Sequence, residues 1–333
     1  MRLIRALYMK RLSLKRWHRW VIAAVLILFL AITLWRFDAG NVLHSLRQIP
    51  LWLVGLLVGL QIISQLLVNT LWFQIAKLAD TPISFGRMLY VNCQGAVMDS
   101  ITPGVKFGGE ITRAVQISRA ANCDGGQAAT VVALQKLFSL SSFFFILLFA
   151  AGLLVGGVIV WGLLLLPLLL FMGVLLAPQR VQIFLESRYF AKPSNLAWIR
   201  RVRGFLLATL ERLIAIRSDK KKMAMLLVLS FVMWFLYPVK LYLIAVQFVH
   251  ETSVIYIGAS GFVAYMVAML PLFPGGLGGF EGSLSGLLAA LGFVLSDAVV
   301  VAVLFRFITF WLVMLGSLGF IAVHKISAKF ARN

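Results

Sequence analysis

Long apolar runs alternate along the chain with short clusters of basic residues, and the clusters sit at the ends of the runs. Residues 21–35, 51–76, 134–154, 158–176, 223–249 and 298–323 therefore predict helices that cross a bilayer core ~30 Å thick. Two further stretches are apolar but broken. Residues 88–119 are interrupted at Thr102-Pro103-Gly104-Val105-Lys106-Phe107-Gly108-Gly109-Glu110, and residues 255–293 at Pro271-Leu272-Phe273-Pro274-Gly275-Gly276-Leu277-Gly278-Gly279-Phe280-Glu281. The pieces of the first stretch are too short to cross, and Arg87, Arg113 and Arg119 close it at both ends. That pattern predicts a re-entrant helical hairpin entering from the cytoplasm. No Lys or Arg flanks the second, so it is expected to enter from outside.

The order is span, span, hairpin, span, and then the same again with the opposite starting direction. Each break carries Pro-Gly, then Gly-Gly, then a glutamate seven residues after the proline: Pro103-Gly104, Gly108-Gly109 and Glu110; Pro274-Gly275, Gly278-Gly279 and Glu281. Gly276 extends the second break. Corresponding interrupted helices in two halves of opposite topology are the sequence sign of a transporter site. The expected fold is an all-α polytopic membrane protein, about six full transmembrane helices plus two re-entrant helical hairpins in an inverted repeat. It forms one integral membrane domain over 1–333, with repeat 1 at about 20–155 and repeat 2 at about 158–323.

Composition narrows the class further. Of the 333 residues, 62% are hydrophobic and 13% charged, which excludes a soluble enzyme, a disulfide scaffold and a disordered regulator. The net charge of +20 would suggest nucleic acid in a soluble protein, but here it follows the positive-inside pattern. Both termini are accordingly expected in the cytoplasm and the protein in the inner (cytoplasmic) membrane. Residues 178–222 hold eleven Lys/Arg against Glu186, Glu211 and Asp219, a basic cytoplasmic loop suited to anionic lipid headgroups. Within it Ile199, Val202, Leu206, Leu210 and Leu213 recur at helical spacing, the mark of an amphipathic helix on the membrane surface. Cys93 and Cys123 have no CxxC spacing and are expected to be free thiols.

Candidate chemistry lies in the charges at membrane depth, where an unpaired charge is costly. Arg306 and Lys240 fall far inside their own spans and are expected at similar depth, near the tip of the outer hairpin with Glu281. Lys106, Glu110 and Arg113 form the matching group on the cytoplasmic hairpin, with Asp99 nearby; Glu110 and Arg113, three apart, share a helix face. Together these residues form the expected substrate site, and their positive balance favours an anionic group. Asp99, Glu110 and Glu281 are candidates for proton coupling. Lys136 reads as an anchor near the cytoplasmic start of its span. No HExxH or nucleophile elbow is present, and no enzyme activity, metal or cofactor is expected.

The paired motifs, with Arg306 twenty-five residues after Glu281, resemble the lysylphosphatidylglycerol synthase/flippase transmembrane family over nearly the whole chain. The resemblance implies a helical membrane fold and movement of an aminoacylated phospholipid between leaflets. It does not carry over the synthase activity, since no segment here forms an aminoacyl-transferase domain. Phe280 stands where some relatives carry a basic residue, so the headgroup need not be the same. The leading expectation is a flippase-type translocator of a lipid with an anionic, aminoacylated or lipid-linked headgroup. Two other readings stay open: a carrier for a small organic anion, and a non-catalytic membrane subunit of a lipid-modifying system. A homo-oligomer or a lipid-synthesis enzyme is the partner each would admit.

Overall fold

The computed structural model describes residues 47, 49–102, 107–155, 158–187, 197–249, 253–269 and 275–330. The expected crossing at 21–35 and the break residues Pro103, Gly104, Lys106 and Pro274 lie outside these residues. All secondary structure among them is helical.

The chain runs α1 (Leu51–Leu78), α2 (Phe85–Ile101), α3 (Phe107–Ala121), α4 (Gly125–Val155), α5 (Val158–Leu176), α6 (Pro178–Glu186) and α7 (Ala197–Ser218). It continues through α8 (Lys220–Ala245), α9 (Val254–Met269), α10 (Gly279–Ala290) and α11 (Leu295–Arg306). A π-helical turn, Phe307–Trp311, then leads directly into α12 (Leu312–Phe330). Leu51–Leu78, Gly125–Ala150, Lys220–Ala245 and Leu295–Ser327 are long and apolar enough to cross a membrane. They agree with four of the expected spans. The expected span at 158–176 is helix α5, and the chain bends by 91° from Leu164–Leu176 into α6.

Local chemistry sets the ends. Pro50, in the extended region, caps α1, and Asp80 ends the turn after it with φ +52°, a left-handed conformation that Asp tolerates. The Asp124 carboxylate accepts from the N–H groups of Gly126 and Gln127, so α4 starts at Gly125 rather than near Leu134. Asp219 accepts from the N–H groups of Lys221 and Lys222 and starts α8. Those bonds, with the Lys222 ammonium, hold its carboxyl below the usual carboxylate range.

Each broken stretch forms a pair of short helices packed on one another, α2 on α3 and α9 on α10. Between and around them run the long helices: α8 packs on α1, α4 and α9, and α12 packs on α2. The core is aromatic at its centre, with Trp72, Phe138, Phe143, Trp234 and Phe262 buried among leucines of α1, α4 and α8. By contrast Leu56, Ile62, Ile63 and Leu66 on the other sides of α1 are open, as expected of a helix whose outer solvent is hydrocarbon.

The amphipathic stripe of the basic loop is divided, which corrects the surface-helix expectation for half its length. Leu210 and Leu213, joined by Ile216, are buried in the protein core. Only the N-terminal part of the stripe, with Val202 and Leu206, remains open. The cause is that α7 packs its C-terminal half on α4 and α8.

Candidate functional site

The first group of charges is assembled at the α2–α3 pair. Arg113 on α3 donates from one Nη to Asp99 Oδ2 on α2 at 3.0 Å and to Glu110 Oε1 on its own helix at 3.1 Å. Lys136, about three turns into α4, brings its Nζ to 2.5 Å from the same Glu110 oxygen. The Arg113 guanidinium also lies 5.6 Å from the centre of the Trp72 ring. Arg113 is 8% exposed, a burial depth at which its charge requires these partners.

Glycines make this close approach feasible. A methyl on Gly109 would collide with the Asp99 carboxylate, whose Oδ1 accepts from the Gly109 N–H at 3.1 Å. Gly108 faces the Thr102 side chain in the same way. Gly95 on α2 is a third contact of this kind, since its methyl would fall on the Arg113 side chain.

The second group is built on the α9–α10 break. Gly275, Gly276 and Gly278 have φ of +60°, +70° and +79°, a region open to glycine. Those angles turn the chain so that Glu281 Oε2 accepts from the Gly278 N–H at 2.7 Å and caps α10. Glu281 Oε1 lies 3.4 Å from Arg306 Nε, and Arg306 donates through an Nη to the Gly275 carbonyl. The guanidinium lies over the rings of Phe280 and Phe310, at 5.0 and 4.2 Å from their centroids. Phe310 belongs to the π-helical turn and stands four residues after Arg306, a spacing that shares a helix face. Beside this group, Trp234, Tyr237, Phe262, Tyr265, Phe280 and Phe305 line a narrow apolar crevice of about 10 Å³.

The second break reaches the end of α2. A methyl on Gly275 would lie 3.4 Å from the Ser100 carbonyl oxygen, so the turn of the second break rests on the last turn of α2, next to Asp99. Arg113 Nε and Arg306 Nε are both buried without a hydrogen-bond partner among the described residues.

The structure therefore brings Asp99, Glu110 and Arg113 together, and Glu281 with Arg306. It does not place Lys240 with either. Lys240 is fully buried, and its Nζ donates to Gln61 Oε1 at 2.6 Å and Ser64 Oγ at 3.0 Å, both on α1, with the Tyr237 ring centre 4.7 Å away. The expected position beside Glu281 is corrected: α8 turns this lysine toward α1. Lys136, read as an anchor, belongs to the first group instead. Cys93 and Cys123 are free thiols.

The family model described as the transmembrane region of lysylphosphatidylglycerol synthase matches residues 17–317. A UPF0104 membrane protein of Pyrococcus horikoshii is 24% identical over 332 residues, covering 94% of this chain and 97% of its own. A UPF0104 membrane protein of Methanothermobacter thermautotrophicus is 23% identical over 302 residues, covering 85% of this chain and 88% of its own.

Proposed function

The chain belongs to the lysylphosphatidylglycerol synthase transmembrane family, and from that premise we propose that it is a flippase-type translocator of phospholipids or lipid-linked headgroups, without catalytic activity. The observation that carries this reading is the contact of the second break with the end of α2, which sets the two buried arginine–carboxylate groups on neighbouring elements. Irregular backbone at membrane depth is tolerated where it is enclosed by protein or lines a polar cavity. In this reading the α2–α3 and α9–α10 pairs are re-entrant hairpins from opposite sides, related by an inverted repeat, with both termini in the cytoplasm.

The chemistry follows from charge balance. Asp99, Glu110 and Glu281 face Arg113, Lys136 and Arg306, so the charges of the two groups balance among the described residues. An entering phosphate binds by exchange, taking an arginine that a carboxylate gives up. Arg113 keeps an Nε–H for a further acceptor, whereas the Nε of Arg306 faces Glu281 and comes free when that pair opens. The released carboxylate, Glu110 or Glu281, then takes a proton or a headgroup cation, which couples substrate to protons through Asp99, Glu110 and Glu281. Lys240 braces α8 against α1 and enters the substrate path only when those helices part.

Proteoliposomes test this directly. Leaflet transfer of a fluorescent phosphatidylglycerol, with no uptake of a radiolabelled organic anion, supports the translocator. Anion uptake without lipid transfer supports a carrier with a sealed aqueous path, and neither activity supports an accessory subunit.

A further inference from the structure

We propose that α6 and the N-terminal half of α7 form a two-helix platform that docks into the headgroup layer of an anionic leaflet. The observation is a single apolar stripe covered along only part of its length. At 100° per residue, Trp198, Val202, Leu206, Leu210, Leu213 and Ile216 fall within one face of α7. The last three are at most 5% exposed, while Trp198, Val202 and Leu206 are 62%, 47% and 40% exposed. The stripe passes the rim of the protein core and continues bare beyond it.

Three features select lipid as what lies beyond the rim. The first is orientation: the 91° bend from α5 into α6 lays α6 along the plane of the bilayer if α5 crosses it, and α6 exposes Ile183 at 67%. The second is charge. Arg200 and Arg201 are exposed on the polar face of the same turns, a pattern that complements anionic headgroups. It opposes the N-terminal segment of this chain, which carries Arg2, Arg5, Lys10, Arg11, Lys15, Arg16 and Arg19. The third is rigidity. Arg203 donates to the Leu185 carbonyl at 3.1 Å and Arg217 to Gln179 Oε1 at 2.8 Å, locking α7 onto α6. Arg212 pairs with Asp80 in the turn that leads to α2, so the platform is pinned to the base of the first break. A bare apolar face held this firmly is built to be covered.

The experiment is nitroxide depth measurement on the full chain in nanodiscs, of phosphatidylcholine alone and of phosphatidylcholine with phosphatidylglycerol. Labels are placed at Ile183, Val202 and, on the opposite exposed face of α7, Ala208. In the anionic discs the Ile183 and Val202 labels should collide with oxygen several-fold more, relative to a water-soluble nickel chelate, than the Ala208 label. Arg200→Gln/Arg201→Gln should remove most of the difference between the two lipid compositions. Val202 as open to nickel as Ala208 in both discs overturns the platform. Val202 shielded from both reagents overturns it in favour of a protein cover, the N-terminal segment or a second copy. Equal immersion in both discs overturns the anionic preference. None of these readouts depends on transport, so they stand or fall apart from the translocator reading.

Discussion

Gly95 on α2 and Arg113 on α3 share one volume: a methyl on Gly95 would lie 2.5 Å from the guanidinium carbon. Arg113 cannot simply swing away, because Asp99 and Glu110 hold it. Gly95→Ala should therefore break at least one of those ion pairs and cost about 1–3 kcal/mol, the usual range for overpacking. Thermal unfolding in detergent should show the loss, and an unchanged midpoint would mean that the arginine is less constrained than its contacts indicate.

The two Gly-Gly pairs should respond differently to a methyl. Gly109 abuts Asp99, whereas the nearest neighbour of a methyl on Gly279 is Val267 Cγ1 at 3.8 Å, an ordinary contact. Gly109→Ala should destabilise by about 1–3 kcal/mol and Gly279→Ala by less than about 0.5 kcal/mol. The comparison needs only the two melting curves. Equal losses would show that the breaks are alike in packing.

Glu110 faces two cations, and removing its charge takes one carboxylate contact from each. Glu110→Gln should lower stability by about 1–3 kcal/mol, the loss of charge-assisted contacts to two cations that keep other partners or some exposure. Adding Lys136→Met should recover part of that loss, because Arg113 keeps Asp99. A double-mutant cycle on unfolding free energy gives the coupling between Glu110 and Lys136. Coupling indistinguishable from zero would return Lys136 to a surface anchor.

Lys240 has neutral partners and no exposed surface, so shape and hydrogen bonding both matter there. Lys240→Arg, larger and still charged, should destabilise more than Lys240→Met. The methionine variant leaves the Gln61 carbonyl oxygen without its donor, at a cost of about 1–3 kcal/mol. Gln61→Leu with Lys240→Met should recover most of it, measured again by unfolding in detergent. Recovery of stability together with loss of lipid transfer would place Lys240 in the substrate path rather than in a brace.

Much of this was legible in the chain because membrane helices announce themselves by length and hydropathy. The ends of α1 and α5 and both broken stretches lie where the apolar runs place them. The pairs Glu110–Arg113 and Glu281–Arg306 followed from the cost of charge in hydrocarbon. Lys136 was missed because the apolar run starts near Leu134. Asp124 followed by Gly125-Gly126 is a helix-cap signature, and it begins α4 far enough back to put Lys136 well inside the helix. Lys240 was misplaced because depth along a helix does not give the direction in which the side chain faces. Gln61 and Ser64, two polar residues three apart in an apolar span, were the available signal for its true partners. Phe310, four residues after Arg306, was the available signal for one of its aromatic contacts, whereas Phe280 reaches it from α10 and no local pattern specifies that.

The most direct test of the translocator is leaflet transfer of fluorescent phosphatidylglycerol in proteoliposomes, comparing the wild type with Glu281→Gln/Arg306→Gln. Removing both partners relieves the buried pair, so the double variant should fold with a melting temperature near that of the wild type. It should nevertheless lose lipid transfer by tenfold or more, because the group that exchanges with the headgroup phosphate is gone. A folded double variant that transfers lipid at the wild-type rate would contradict the account and leave the pair as a structural clasp.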